Sequence, residues 1–238
     1  MSNLIIDEGN TLCKAAVVSN GAILAQTSGR DIDDAALQDF AAQYGINNII
    51  SASTRRERVE LPAALHGIKH VRLCAETKLP IQIKYSTPGT LGLDRVAAAV
   101  GASVLFPQSD VLIVDLGTAI TVDFLSRNGE YLGGVISPGP AMRAKALNAF
   151  TGKLPLVEVP ADARLRGQST TEALQFGILN GVRFEIDGYI NAYRAENQDV
   201  KVVVTGGAAN AIIRPDVTRE PNLVIIGMNR ILEFNGER

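Results

Sequence analysis

The sequence of 238 residues lacks tryptophan and contains only two cysteines and two histidines. Cys13 and Cys74 match no metal-ligand spacing, so we interpret both as reduced, buried side chains rather than as a zinc or redox site. His66 and His70 are separated by Gly67 and have no flanking carboxylate, so a histidine metal site is not expected. Neither a Gly-x-Gly-x-x-Gly dinucleotide turn nor a Gly-x-x-x-x-Gly-Lys-Ser/Thr P-loop occurs, which excludes the two most familiar nucleotide-binding motifs.

The sequence also lacks a marked excess of positive or negative charge, and it lacks long apolar runs. The net charge of −2 gives no electrostatic argument for binding nucleic acid or a membrane surface. The longest apolar stretches, such as 111–114 and 223–226, are far shorter than a bilayer requires. The N-terminus has no basic region followed by an apolar region, so no secretory signal is expected. The composition, 46% hydrophobic and 20% charged, indicates a globular protein of the cytoplasm.

Apolar runs and helical periodicity alternate along the chain in an order that occurs twice: three strands, a helix, a strand, a helix and a strand. We predict strands at 4–7, 14–18, 22–26, 48–51, 71–74, 111–115, 119–124, 131–136, 201–205 and 223–226, and helices at 33–44, 55–65, 96–104, 142–149 and 171–195. This alternation is typical of α/β domains. Pro107 interrupts an alanine-rich helix, so we expect two halves, 1–108 and 109–238.

The chain also repeats a short motif, and the two copies are separated by nearly half its length. Asp7-Glu8-Gly9-Asn10-Thr11 follows one apolar run, and Asp115-Leu116-Gly117-Thr118 follows another. A glycine permits a tight turn that brings backbone N–H groups close to an anion, and an aspartate oxygen suits Mg²⁺. Such residues are equally common in ordinary hairpin turns. Because the motif occurs twice, we favour phosphoryl transfer at a nucleotide cleft between two related half-domains.

A second candidate site is Gly92-Leu93-Asp94-Arg95, which precedes the alanine-rich helix. A carboxylate beside an arginine at a helix N-terminus suits a proton acceptor for a hydroxyl and a clamp for a carboxylate. The alternative is a capping aspartate with a solvated arginine. The mixed-charge run 55–58 is interpreted as a solvated helix start rather than a phosphate site.

Two glycine-rich segments each follow a predicted strand. Gly133–Pro140 is compatible with a plain turn or with close approach of the backbone to a ligand. Thr205-Gly206-Gly207 precedes alanine-rich residues that we expect to form a helix, an arrangement that suits adenosine or phosphate.

Together these segments resemble type III pantothenate kinase, a family of the acetate and sugar kinase/Hsp70/actin superfamily. The resemblance rests on six motifs, at 7–14, 85–95, 115–123, 133–139, 169–177 and 205–207, and covers nearly the whole chain. It implies a duplicated actin-like (ribonuclease H-like) α/β fold. It also implies ATP-dependent phosphorylation of the 4′-hydroxyl of pantothenate, the first step of coenzyme A biosynthesis.

The same resemblance implies a role for each motif residue. ATP with Mg²⁺ would be bound by Asp7, Glu8, Gly9, Asn10, Thr11, Leu12, Cys13, Lys14 and Thr118. Asp94 would be the general base, and pantothenate would contact Tyr85, Gly92, Leu93, Asp94, Arg95 and Thr170. Asp115 would help to hold a monovalent cation, K⁺ or NH₄⁺. The family is homodimeric, with active sites near the subunit interface, and Thr170 would come from the neighbouring subunit.

Three features depart from the family pattern. Glu8 stands where the family usually has an apolar residue, but strand alternation places it on the face opposite Asp7. Phe176 replaces a small residue before Gly177, and Thr171 lies beside Thr170 as an alternative substrate contact.

Two other functions stay open at this point. A sugar-type kinase of the same superfamily would lack the Tyr85 and Asp94-Arg95 motif and commonly carries a cysteine-rich zinc motif. A non-catalytic ATP-binding regulator or filament protein would keep both phosphate turns but would not need the base Asp94.

Overall fold

The computed structural model describes residues 1–55, 59–212 and 214–236 of the chain. The strands are β1 (Ser2–Glu8), β2 (Cys13–Ser19), β3 (Ala22–Gly29), β4 (Ile46–Ser53), β5 (Lys69–Arg72), β6 (Gln82–Ile83), β7 (Val111–Leu116), β8 (Ala119–Leu125), β9 (Glu130–Pro138), β10 (Lys201–Thr205) and β11 (Thr218–Arg219). The helices are α1 (Asp34–Tyr44), α2 (Leu93–Leu105), α3 (Pro140–Phe150), α4 (Thr170–Glu196) and α5 (Leu223–Phe234). Short 3₁₀ turns lie at Ala63–Leu65, Pro88–Thr90 and Ala209–Ala211.

The two sheets repeat one topology. The first has the order β3-β2-β1-β4-β5, and the second has the order β11-β10-β7-β8-β9-β6. In the first sheet, β1 pairs antiparallel with β2 and parallel with β4, the strand that follows α1. In the second sheet, β7 pairs antiparallel with β8 and parallel with β10, the strand that follows α3 and α4. This is the strand order of the ribonuclease H-like fold, so the predicted duplicated actin-like α/β fold is confirmed.

The chain divides into two compact units. The first contains Met1–Pro107, Gly129–Tyr131 and the C-terminal segment from Asn222, and the second contains Gln108–Asn128 and Leu132–Pro221. The expected halves, 1–108 and 109–238, differ from these units in the assignment of 129–131 and of α5. Helix α5 belongs to the first unit because it packs against α2, β1 and β4.

Each unit has its own hydrophobic core, made by one face of its sheet and a helix. In the first unit, apolar residues of β1, β2 and β4 pack with Leu37 of α1. In the second unit, apolar residues of β7, β8 and β10 pack with Val182, Ile186 and Ile190 of α4. The apolar positions recur at helical spacing on α4 and alternate on the strands, so each core follows from the sequence pattern.

Three predictions of secondary structure were wrong in the described residues. The segment 223–226 is the first turn of helix α5 rather than a strand, since a short apolar run does not distinguish a buried helix from a strand. The predicted helix 55–65 is reduced to a 3₁₀ turn at Ala63–Leu65; Pro62 disfavours helical backbone in the residue before it, and 56–58 lie outside the described residues. The alanine-rich residues after Gly207 form a 3₁₀ turn.

Among the residues that the structure describes, no helix combines the length and the apolar character needed to cross a membrane.

Helices α2 and α5 cross in direct backbone contact within the first unit. A methyl group at Gly227 would overlap the carbonyl of Ala97, and one at Gly101 would overlap the carbonyl of Leu223. The crossing therefore needs a glycine on each helix. Because α2 carries Asp94 and Arg95 at its first turn, this contact also fixes where those side chains lie.

We predict that Gly227→Ala lowers the free energy of unfolding by about 1–3 kcal/mol, the usual cost of overpacking a buried contact. Thermal unfolding measures this as a fall in Tm. The matched control is Gly188→Ala on α4, where a methyl group meets no atom within 4 Å. That control should leave Tm unchanged or raise it, because alanine favours helix over glycine. Equal Tm values for the two variants would contradict the close crossing.

Candidate active site

The β1–β2 turn, residues 7–14, is a tight hairpin whose tip is exposed. Asp7 and Lys14 are partners in the strand register. The N–H of Gly9 donates to the carbonyl of Leu12 at 3.2 Å, and a methyl group at Gly9 would lie 2.8 Å from that oxygen. Asn10 is exposed at the tip, together with Thr11 and Leu12. The turn therefore offers backbone and hydroxyl groups to a ligand beside one carboxylate and one ammonium group.

The other two residues of this turn point into the protein. Glu8 is only 5% exposed and Cys13 is 1% exposed, whereas Asp7 and Lys14 are partly exposed. The Cys13 thiol donates to the carbonyl of Arg30 at 3.3 Å, and burial raises the pKa of the thiol. Glu8 thus lies on the face opposite Asp7, as strand alternation predicts.

The Gly92–Arg95 motif forms the start of α2. Gly92 is the N-cap, and a methyl group there would lie 2.5 Å from the Asp94 carboxylate. Asp94 is exposed, and its Oδ1 accepts the backbone N–H of Arg95 at 2.9 Å. The helix dipole favours negative charge at this position. An exposed carboxylate held in one orientation is well suited to accept the proton of a substrate hydroxyl.

Arg95 is buried between two tyrosines. Its exposed fraction is 6%, and its guanidinium carbon lies 5.9 Å from the ring centroid of Tyr85 and 6.0 Å from that of Tyr131. Both distances fall within the range of cation–π contacts. The expectation of a solvated arginine is therefore wrong, whereas Asp94, although Gly92 is the N-cap, does accept a backbone N–H of the first turn as a capping aspartate would.

Tyr131 was not selected from the sequence. It is fully buried near the start of β9, where it is the register partner of Ile83 on β6, and its carbonyl accepts the N–H of Lys84 at 2.9 Å. This short pairing places Tyr85 next to Tyr131, with ring centroids 6.1 Å apart. Since the pairing joins segments that are distant in sequence, no local pattern could have indicated it.

The second copy of the motif lies at the end of β7, where three segments of the second unit meet. The N–H of Gly139 donates to the carbonyl of Thr118, and the N–H of Ala208 donates to the carbonyl of Leu116, each at 3.0 Å. A methyl group at Gly206, where φ is +90°, would overlap the Asp115 carboxylate. The two glycine-rich segments therefore pack directly on the turn that carries Asp115 and Thr118, which gives their glycines a structural role.

A cluster of three residues holds the β9–α3 segment in place: Ser137, which lies in the predicted glycine-rich segment, and Arg143 and Glu185, which were not selected from the sequence. The Ser137 hydroxyl and the Arg143 guanidinium both donate to the Glu185 carboxylate on α4. Arg143 Nε also donates to the carbonyl of Pro138 at 2.8 Å. The cluster fixes the residues immediately before Gly139, and thus the segment that contacts Thr118.

Thr170 is the first residue of α4 and is exposed, as is Thr171. Ser169 caps the helix by accepting the N–H of Glu172 at 3.2 Å. Thr170 also lines an open cavity of about 520 Å³ within the second unit, which includes Arg143 and is otherwise largely apolar. A helix N-terminus beside such a cavity favours a ligand with an anionic group.

We expect Gly206→Ala to destabilise the second unit by about 1–3 kcal/mol, because the added methyl group collides with Asp115 and the backbone conformation disfavours alanine. The adjacent Gly207→Ala is the matched control, since a methyl group there meets nothing within 4 Å. The readout is Tm by differential scanning fluorimetry. If both variants unfold at the same temperature, the packing of residue 206 on Asp115 is wrong.

The sequence was compared with known proteins. The family model described as type III pantothenate kinase matches residues 3–192. The chain is 39% identical over 241 residues to a type III pantothenate kinase of Porphyromonas gingivalis, covering 98% of both chains. It is 41% identical over 239 residues to that of Cytophaga hutchinsonii, covering 98% of this chain and 99% of the relative.

Solved structures with low sequence identity share the fold. The activator of 2-hydroxyisocaproyl-CoA dehydratase from Clostridium difficile, with bound ADPNP, superposes with a TM-score of 0.58 at 14% identity and covers 100% of this chain and 98% of its own. Component A of the (R)-2-hydroxyglutaryl-CoA dehydratase of Acidaminococcus fermentans gives a TM-score of 0.51 at 14% identity, over 98% and 97% of the two chains. The family model and the full-length relatives show that the chain belongs to the type III pantothenate kinase family.

Proposed function

We propose that the protein transfers the γ-phosphoryl group of ATP to the 4′-hydroxyl of pantothenate, the first step of coenzyme A biosynthesis. The observation that carries the proposal is an exposed carboxylate, Asp94, held beside the buried cation Arg95 in a chain of this family. Phosphoryl transfer needs little covalent help from a protein, and positioning and charge stabilisation supply most of the catalysis. The Asp94 carboxylate would contribute positioning of the substrate hydroxyl, and the Arg95 guanidinium would contribute positive charge.

In the proposed reaction each motif of the first unit has a separate task. Asp94 accepts the proton of the 4′-hydroxyl as that oxygen attacks the γ-phosphorus; the bond between the γ-phosphorus and the bridging oxygen breaks, and ADP leaves. Tyr85 and Gly92–Arg95 line the pantothenate site. The turn 7–14 binds ATP phosphates through its backbone N–H groups, its hydroxyl group and the ammonium group of Lys14.

In the second unit, Thr118 contacts ATP, and the glycine segments around it keep its turn in place. A nucleotide analogue, ADPNP, is bound in the Clostridium difficile activator that shares this fold. The donor set also fits the expected ions. Mg²⁺ usually takes one or two carboxylates plus substrate phosphates, so a single carboxylate beside bound phosphates is enough to contact it.

Asp7, a partly exposed carboxylate of the turn 7–14, is the proposed Mg²⁺ contact, and Asp115, near the end of β7, is the proposed contact of K⁺ or NH₄⁺. When bound, Mg²⁺ would neutralise phosphate charge, and the monovalent cation would add positive charge near the phosphates or at the subunit contact.

We also propose a homodimer in which Thr170 contacts pantothenate bound to the other subunit. Three large apolar side chains of the second unit are exposed and are available to such an interface. Phe150 is 88% exposed, Leu165 is 79% exposed and Phe184 is 62% exposed.

The cytoplasm is the proposed compartment, supported by two free cysteines, Cys13 and Cys74.

The alternatives from the sequence are less well supported. A sugar-type kinase or a non-catalytic regulator shares the fold, but the full-length relatives at 39% and 41% identity are type III pantothenate kinases.

The first test is ADP release from MgATP with and without pantothenate, with K⁺ or Na⁺ as the sole monovalent cation. We expect turnover that requires pantothenate and is faster in K⁺. Asp94→Asn should lower kcat by at least about 100-fold, the scale of a lost general base, while MgATP still binds. An unchanged kcat in this variant would exclude Asp94 as the base.

A subunit-mixing experiment tests the shared site. Asp94→Asn and Thr170→Ala are each expected to be inactive at low pantothenate concentration. Coexpressed in one cell, they form mixed dimers in which one site has both an intact Asp94 and an intact Thr170, so activity returns. Thr171→Ala alone, assayed beside Thr170→Ala alone, identifies which threonine makes the contact, because only the variant that loses it should be inactive at low pantothenate concentration. Absence of activity in purified mixed dimers would mean that Thr170 serves its own subunit.

A further inference from the structure

Arg55 lies two residues beyond β4 and reaches the proposed phosphate turn. Its side chain is 25% exposed, although the residue as a whole and its hydrogen bonds lie at the surface. Its Nη2 donates to the carbonyl of Asn10 at 3.1 Å, and its Nη1 donates to the carbonyl of Arg30 and to Asp31 Oδ1, each at 2.8 Å. The sequence suggested only a solvated charge at this position.

The neighbouring residue holds the other side of the same turn. The backbone N–H and the hydroxyl of Thr54 donate to the carbonyl of Glu8 at 3.0 and 3.1 Å. Thr54 and Arg55 therefore fix two carbonyl groups of the turn, those of Glu8 and Asn10. The segment after β3 is held in the same cluster, because the carbonyl of Arg30 accepts from both Arg55 and the Cys13 thiol.

The direction of these carbonyl groups matters for an anion site. A turn binds phosphate through N–H groups, and a carbonyl oxygen that rotates towards the phosphate repels it. A guanidinium group is planar and presents its donors in a rigid fork, so it can engage acceptors from two loops at once. With the Asn10 carbonyl bonded to Arg55, the turn is held with that oxygen directed at the guanidinium.

We propose that Arg55 is a positioning residue for nucleotide binding, acting through the Asn10 carbonyl to keep the turn 7–14 in its phosphate-binding conformation. The inference rests on the proposed function only in that this turn binds ATP phosphates. The ion pair with Asp31 is secondary, since Asp31 is 79% exposed and surface ion pairs contribute little.

The test measures the Kd of MgATP by titration calorimetry without pantothenate, followed by separate KM values for ATP and pantothenate. We expect Arg55→Ala to raise the Kd and the KM for ATP about tenfold, as for loss of one hydrogen bond to a charged group, with the KM for pantothenate unchanged. Arg55→Lys should raise the Kd about threefold, because an ammonium group keeps the charge but not the fork.

Two control variants separate the loop contact from other effects. Asp31→Asn removes the ion pair but keeps the contact with Asn10, so the Kd should change less than about twofold. Arg230→Ala removes an arginine that pairs with Glu233 at 3.8 Å on α5, and it should leave the Kd unchanged.

The outcomes also separate this inference from the proposed reaction. If the Kd of MgATP for Arg55→Ala equals that of the wild type or of Arg230→Ala, the inference is overturned. If Arg55→Ala does not fold, the Kd of Arg55→Lys decides in its place, and a value equal to that of the wild type would overturn the inference. If the wild type binds MgATP but does not phosphorylate pantothenate, pantothenate is excluded as the substrate. The Kd values of MgATP for the variants then still test the role of Arg55. If the wild type does not bind MgATP, the inference fails as well.

Discussion

The structure depends on backbone segments that approach each other so closely that only glycine fits between them. Within the second unit, Gly139 and Gly206 pack on the turn that carries Asp115 and Thr118. Within the first unit, Gly101 and Gly227 bring α2 and α5 into backbone contact. Such contacts leave little freedom for movement, so the polar side chains nearby are placed by the main chain rather than by flexible surface loops.

Helix α2 shows how this constraint reaches the chemistry. Its middle is fixed against α5, its first turn is shaped by Gly92, and its first charged residues are Asp94 and Arg95. The two side chains then have opposite environments, since Asp94 is exposed and Arg95 is enclosed by Tyr85 and Tyr131. An acceptor open to substrate beside a cation with restricted motion is the preorganised arrangement that electrostatic catalysis needs.

The sequence was informative wherever a contact is local. The strand–turn motifs at Asp7 and Asp115, the glycines and the amphipathic helix α4 all follow from spacing and residue type, and the topology that they imply is confirmed. It was misleading for 223–226, because a short apolar run does not distinguish the first turn of a buried helix from a strand.

The sequence was silent where partners are far apart in the chain. Arg55 meets Asn10, Tyr131 meets Arg95, and Glu185 meets Ser137, and each pair is brought together only by the folded unit. These tertiary contacts orient the residues that the motifs supply. The roles of the motif residues themselves rest on the family resemblance and stay a prediction.

The most direct test of the account is the identity of the product. The protein would be incubated with MgATP, K⁺ and pantothenate, and the products separated and examined by ³¹P and ¹³C nuclear magnetic resonance. We expect a phosphate monoester coupled to the 4′ carbon of pantothenate, formed in equal amount to ADP. ADP without this ester, or an ester at another hydroxyl, would contradict it.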